Sequence, residues 1–210
     1  IFITPFYLMF VLRMSADRVG WVMTATPITL LFVAPFSGAL SDRIGTRALA
    51  VTGATVGAVA MFFMSQVGAS TSAWNVVWRL ALFGVGVGLF QSPNNSAVMG
   101  SAPRTHLGVA SGILAAMRNV GMVLGIAVAG VVVYGIASFA ASRPPGTFTS
   151  TEGATFVTAL RAAYLAGAAL ATLAAVTSVL SIQRQKRAVV AEAGPFPQAG
   201  ERGATGPGNP

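Results

Sequence analysis

Cysteine is absent from the 210 residues, histidine occurs once, and only five residues are acidic. Without cysteine there is no disulfide, no thiol nucleophile and no thiolate-bound metal. His106 has no second histidine, cysteine or carboxylate cluster around it, so a solvated ring is expected and no metal or other cofactor is assigned. The acids Asp17, Asp42, Glu152, Glu192 and Glu201 all fall between or after the apolar runs. No spanning segment therefore carries a carboxylate to relay protons. No clustered carboxylates, histidines or paired nucleophile and base point to an enzyme. A phosphate-binding glycine loop ending in Lys-Ser or Lys-Thr is also missing, which excludes ATP-driven chemistry in this chain.

Charge of either sign is scarce. Charged residues make up 9% of the chain and hydrophobic ones 54%, with a mean hydropathy of +0.73, whereas a soluble domain carries about 25% charged residues. The composition is that of an integral membrane protein whose first partner is the lipid bilayer. Lipid offers no partner to an open backbone group, so only helices or a closed barrel can span it. The apolar runs are continuous and of helical length, without the ~10-residue alternation of barrel strands, and an all-α protein is expected. The formal charge of +8 sits singly at the ends of these runs and forms no aromatic-interleaved patch, so headgroups and topology account for it and nucleic acid is not an expected partner. Arginine outnumbers lysine twelve to one, and Ala, Gly and Val abound, a composition of GC-rich coding that points to a bacterial source.

Six apolar runs can be counted, at 1–12, 19–40, 48–67, 74–99, 109–139 and 160–182. The first begins at Ile1 with no basic leader or cleavage site, which reads as a helix cut in its middle and the chain as a piece of a longer protein. Residues 140–158, rich in Ser, Thr, Gly and Pro, are expected to be an irregular loop, and 183–210 a disordered tail. Basic residues favour the cytoplasmic face. Arg43, Arg47, Arg104, Arg184, Lys186 and Arg187 fall on one side and Arg13, Arg18, Arg143 and Arg161 on the other. Six against four places the C-terminus and the turn at 38–47 in the cytoplasm, with the protein multi-pass in the plasma (inner) membrane.

That turn reads Gly38-Ala-Leu40-Ser-Asp42-Arg43-Ile-Gly45-Thr46-Arg47 and concentrates charge between two uncharged runs. Gly38 would let helices approach, and Asp42 stands where it could cap the next helix. As a bare pattern it is a basic turn that sets topology. In order and spacing it resembles the cytoplasmic loop signature of the major facilitator superfamily, with Gly38, Leu40, Asp42, Arg43, Gly45 and Arg47 at matching positions and Thr46 departing from the usual basic residue. The resemblance implies a conformational latch, formed by Gly38, Asp42, Arg43, Gly45 and Arg47, that stabilises one access state and does not bind substrate.

In the fourth run Gly84, Gly88, Gln91 and Asn95 share one helical face. That face could be a small-residue groove leading to two amides, or a close helix contact with the amides bonded to a neighbour. Pro93 would free a carbonyl one turn earlier. Arg79 is similar to the arginine of the family's fourth-helix signature, although its glycine follows at five residues instead of four, and snorkelling to the interface is the alternative. The fifth run carries Gly108-Val-Ala-Ser-Gly112, Arg118-Asn119-Val-Gly121 and Gly125. Counted from Gly108, Arg118 lies about 15 Å along a helix, where leaving it unpaired costs at least ~2.5 kcal/mol; the choice is between a functional cation and a structural clamp. This run looks like the penultimate helix of the fourteen-helix drug:proton antiporters.

The resemblance implies the C-terminal six-helix half of a secondary transporter, working with a missing N-terminal half. The expected activity is proton-coupled efflux of drugs or other hydrophobic or amphipathic small molecules by alternating access, with protons as coupling ion and the coupling acid in the missing half. Gln91, Asn94, Asn95, Arg118 and Asn119 are the expected path residues. A metabolite or nutrient transporter of the same superfamily, and a non-transporting membrane scaffold, are the alternatives.

Overall fold

The computed structural model describes the backbone of residues 1–136 and 150–192, and within these the side chains of 1–41, 43–133 and 153–179. All described elements are helices. The first, α1 (Thr4–Phe6), runs into a π-helical turn at Tyr7–Val11, after which Arg13 takes a positive φ of 51°. Next come α2 (Ala16–Met23) and α3 (Ala25–Ile44), nearly one helix with a break at Thr24. Pro27, which has no N–H to give to the carbonyl of Met23, accounts for the break. Then follow α4 (Thr46–Ser65), α5 (Ala73–Ser101), a 3-10 turn at Arg104–His106, α6 (Leu107–Ile136) and α7 (Ser150–Glu192). Five stretches among the described residues are long and apolar enough to cross a membrane: Ala16–Ser41, Thr46–Ser65, Ala73–Ser101, Arg104–Val133 and Gly153–Val179. Five of the six runs expected from sequence overlap these stretches, with different ends, while the first, 1–12, holds only α1 and the π-helical turn.

The largest differences are at α7. It starts at Ser150, so residues 150–158 of the expected loop are helical, and it continues through Glu192, so residues 183–192 are helical and not disordered. Gln, Arg, Lys and Ala are good helix formers, and no Gly or Pro occurs between Gly167 and Gly194. Loss of apolar character ends a span without ending a helix. The remainder of the expected loop, 140–149, and of the tail, 193–210, lies outside the described residues. α6 runs unbroken through Arg118 and Asn119.

Helix α5 packs against both α3 and α4; α4 in turn packs on α7, and α7 on α6. Glycine permits the two closest approaches. A methyl group at Gly86 would lie 2.5 Å from the Gly57 nitrogen, and one at Gly53 would overlap the Phe90 amide nitrogen, so α4 and α5 touch backbone to backbone. On the other side of α5 a methyl at Gly84 would come to 2.8 Å from the Thr26 carbonyl, and one at Gly88 to 2.9 Å from Val33 Cγ1. Lipid provides no hydrophobic drive between helices, so such close packing and interhelical hydrogen bonds must hold them together. Thr26 Oγ1 donates to the Leu80 carbonyl at 3.1 Å, and Ser37 Oγ to the Leu89 carbonyl at 3.3 Å. Leu89 stands four residues before Pro93, and its carbonyl is the one that proline leaves without an N–H.

The apolar core lies at the end of the bundle opposite the α3–α4 turn, where Tyr7, Leu8, Met64, Val67, Leu80 and Leu160 are buried together. Polar groups tie that end. The hydroxyls of Thr4 and Tyr164 bond each other, the Tyr7 hydroxyl donates to the Gly68 carbonyl at 2.6 Å, and Arg161 Nε donates to the Val67 carbonyl at 2.9 Å.

Candidate functional site

Two places gather the residues singled out in the sequence. The first is the turn between α3 and α4, which is a single residue long. Gly45 ends α3, donating its N–H to the Ser41 carbonyl at 2.9 Å, and begins α4 at φ 90° and ψ 141°. Only glycine adopts that conformation without strain. Asp42 and Arg43 stand in the last turn of α3 and Arg47 in the first turn of α4. The cap position before α4 is held by Gly45, with no side chain to cap; the Asp42 side chain lies outside the described residues. Arg43 and Arg47 are exposed. Arg43 sits at the negative end of its helix and is favoured there, whereas Arg47 sits at the positive end of α4, which disfavours a cation by about 0.3–1 kcal/mol. A methyl on Gly38 would sit 3.4 Å from Ser92 Oγ, an ordinary contact. Gly38 therefore faces α5, but the approach there is looser than at Gly53 or Gly86.

The second place lies between α5 and α6. Arg118 Nη2 donates to Asn95 Oδ1 at 3.1 Å, the bond that joins two of the five expected path residues across the helices. Arg118 stands eleven residues after the start of α6 at Leu107, about 16 Å along its axis. Gln91 and Asn94 are half-buried and Asn119 is exposed; among the described residues their side chains make no hydrogen bond. The amides at this level are thus only partly engaged. α6 itself is exposed along almost its whole length, with Val109, Ile113, Met117, Val123 and Val131 all outward, and it leans chiefly on α7. Between α6 and the rest of the bundle lies an apolar cavity of about 710 Å³, bordered by Gly121 and Gly125 one turn and two turns beyond Arg118.

The shared face of Gly84 and Gly88 is not an open groove: α3 fills it. Of the two readings of that face, close packing holds for the glycines. The Asn95 amide bonds a side chain of α6 and not a neighbouring backbone. Arg79 stands in the second turn of α5, near its start. Its Nε and Nη1 are buried without a hydrogen-bond partner among the described residues, and its Cζ is 5.3 Å from the Trp78 ring centroid. Sequence reasoning missed the Ser37 bond to the carbonyl freed by Pro93, and the grip of Arg161 on the end of α4. It also passed over Gly53-x-x-x-Gly57, whose spacing was a readable sign of the α4–α5 contact.

Bilayer-length helices packed through glycine, a one-residue polar turn at one end, and a cation held by an amide midway along a helix define a multi-pass α-helical membrane protein. The chain belongs to the major facilitator superfamily: the family model described as Major Facilitator Superfamily matches residues 1–201. It is 38% identical over 123 residues to the uncharacterized transporter YebQ of Escherichia coli K12, covering 59% of this chain and 27% of that protein. It is 32% identical over 126 residues to the riboflavin transporter RibZ of Clostridioides difficile 630, covering 60% and 28%. Over 134 residues it is 32% identical to a tetracycline resistance determinant of Streptomyces rimosus, covering 63% and 39%. The matched part of the chain thus corresponds to 27% to 39% of these relatives' length.

Proposed function

We propose that the chain forms the C-terminal six-helix half of a proton-coupled exporter of hydrophobic or amphipathic compounds in the bacterial inner membrane, with its C-terminus in the cytoplasm. The observation that carries this reading is the bond between Arg118 and Asn95. A guanidinium this deep is costly unless held, and an intramembrane cation on a helix that its own half leaves uncovered marks a substrate or ion path. Gln91, Asn94 and Asn119 complete that path with unengaged amides. Transport proceeds by rocking this half against its N-terminal partner, which supplies the proton-relaying carboxylate. The turn at Gly38, Asp42, Arg43, Gly45 and Arg47 acts as the latch, and the unfavourable position of Arg47 on its own helix favours an acidic partner across the interface.

The relative named for tetracycline resistance supports efflux; the one named for riboflavin supports a second reading, a vitamin or metabolite carrier of the same fold. Substrate accumulation in inverted vesicles carrying the full-length transporter separates them, since export and uptake have opposite signs there. In the same vesicles Arg118→Ala and Asn95→Ala are each expected to slow transport about tenfold at unchanged membrane abundance, the worth of one hydrogen bond to a charged group. Wild-type rates in both variants, across several substrates, would remove the pair from the path.

A further inference from the structure

On the side of α7 away from the large cavity, α4 and α7 leave an outward groove between them. Its first part, about 410 Å³, runs between Ala58 and Phe62 on one wall and Leu165, Ala168 and Ala169 on the other; a second part of about 280 Å³ continues it toward Val179. The only hydroxyls in it, on Thr55 and Thr172, are turned back onto the carbonyls of Val51 and Ala168, at 2.9 and 2.8 Å. The groove therefore offers no polar handle to a compact, drug-like molecule. From Leu165 to Val179 it runs about 21 Å, enough to cover the ~15 Å depth of one leaflet of a ~30 Å hydrocarbon core.

A cation stands at its head. Positions 161, 165, 168, 172, 175 and 179 alternate by four and three and form one stripe of α7, which places Arg161 one turn above Leu165 on the groove's own face. Arg161 is exposed, and its Nε is fixed by the Val67 carbonyl at the end of α4. Its terminal nitrogens have no acceptor among the described residues, and the sequence has no acid from 157 to 165. We propose that the α4–α7 groove and Arg161 form a phospholipid site: an acyl chain lies in the groove, and a net-negative headgroup is held through its phosphate by the guanidinium. The two observations are independent: the groove is lined by apolar side chains and by two threonines whose hydroxyls are already bonded, and Arg161 is the charged residue among those described that stands one turn above its head.

The test uses the full-length transporter and native mass spectrometry, comparing retention of phosphatidylglycerol with phosphatidylcholine. The wild-type protein should favour phosphatidylglycerol about fivefold, the factor supplied by one arginine near an anionic surface. Arg161→Gln should abolish the preference. Arg161→Lys, which keeps the charge but drops the Nε bond, should retain it and so separates loss of headgroup binding from loss of fold. Ala169→Phe should lower retention of both lipids by filling the groove. Glycerophosphoglycerol, the headgroup without chains, should not displace the lipid. Equal preference in wild type and Arg161→Gln, loss of preference in Arg161→Lys, displacement by the chainless headgroup, or unchanged retention in Ala169→Phe would each overturn the site. So would a dimer that Ala169→Phe splits while lipid retention stays constant, because a second copy would then occupy the groove.

Discussion

Gly45 and Ser37 are small residues with a defined physical task. At φ 90° Gly45 occupies a conformation that a Cβ resists, and Gly45→Ala is expected to destabilise the protein by about 1 kcal/mol, seen as a lower midpoint in detergent thermal unfolding. Gly38→Ala, where a methyl meets only ordinary contact, should leave that midpoint unchanged. The two glycines look alike in the motif, yet one is helical against α5 and the other turns the chain at a positive φ, which sequence does not display. Ser37→Ala leaves the Leu89 carbonyl without its donor and should cost about 1 kcal/mol. Pro93 made the orphan carbonyl foreseeable; the identity of its donor depended on which helix lies opposite, and that is a tertiary fact.

At the scale of helices, α5 is the central strut, in contact with α3 on one side and α4 on the other. Gly86→Ala and Gly53→Ala force a methyl into a neighbouring backbone, and each is expected to destabilise by roughly 1–3 kcal/mol and to lower the amount of protein recovered from membranes; recovery equal to that of Gly38→Ala would contradict the backbone contact. Helix existence was legible because apolar runs of bilayer length admit little else. Helix ends were less so. At 150–158 and 183–192 polar and small residues dilute the few apolar ones, Phe156 and Val157 among them, and hydropathy, which reports on lipid, says nothing about a helix that extends beyond it. The face of Gly84 and Gly88 was legible as a small-residue surface, but what fills such a surface is decided by packing, and here α3 does.

For the whole molecule, the helices fall into two groups of different tightness: α3, α4 and α5 interlock through backbone contacts and hydroxyl bonds, while α6 is held mainly by α7 and by the Arg118–Asn95 bond. Asp42→Asn in the full-length transporter should reduce transport with normal membrane insertion, measured as dye efflux against a proton gradient; full transport would separate the turn from any latch. Family membership was legible from the order of residues at 38–47 and 108–125 together. The Arg118–Asn95 pair was legible only as two separate polar residues, because their meeting depends on how α6 leans across α5. The backbone contacts at Gly53 and Gly86 also set where this protein is free to diverge. A position that cannot accept even one carbon leaves substitution no room, whereas on α6 Gly121 and Gly125 have open space beside them and border the cavity, so a larger side chain there reshapes the cavity without moving a helix.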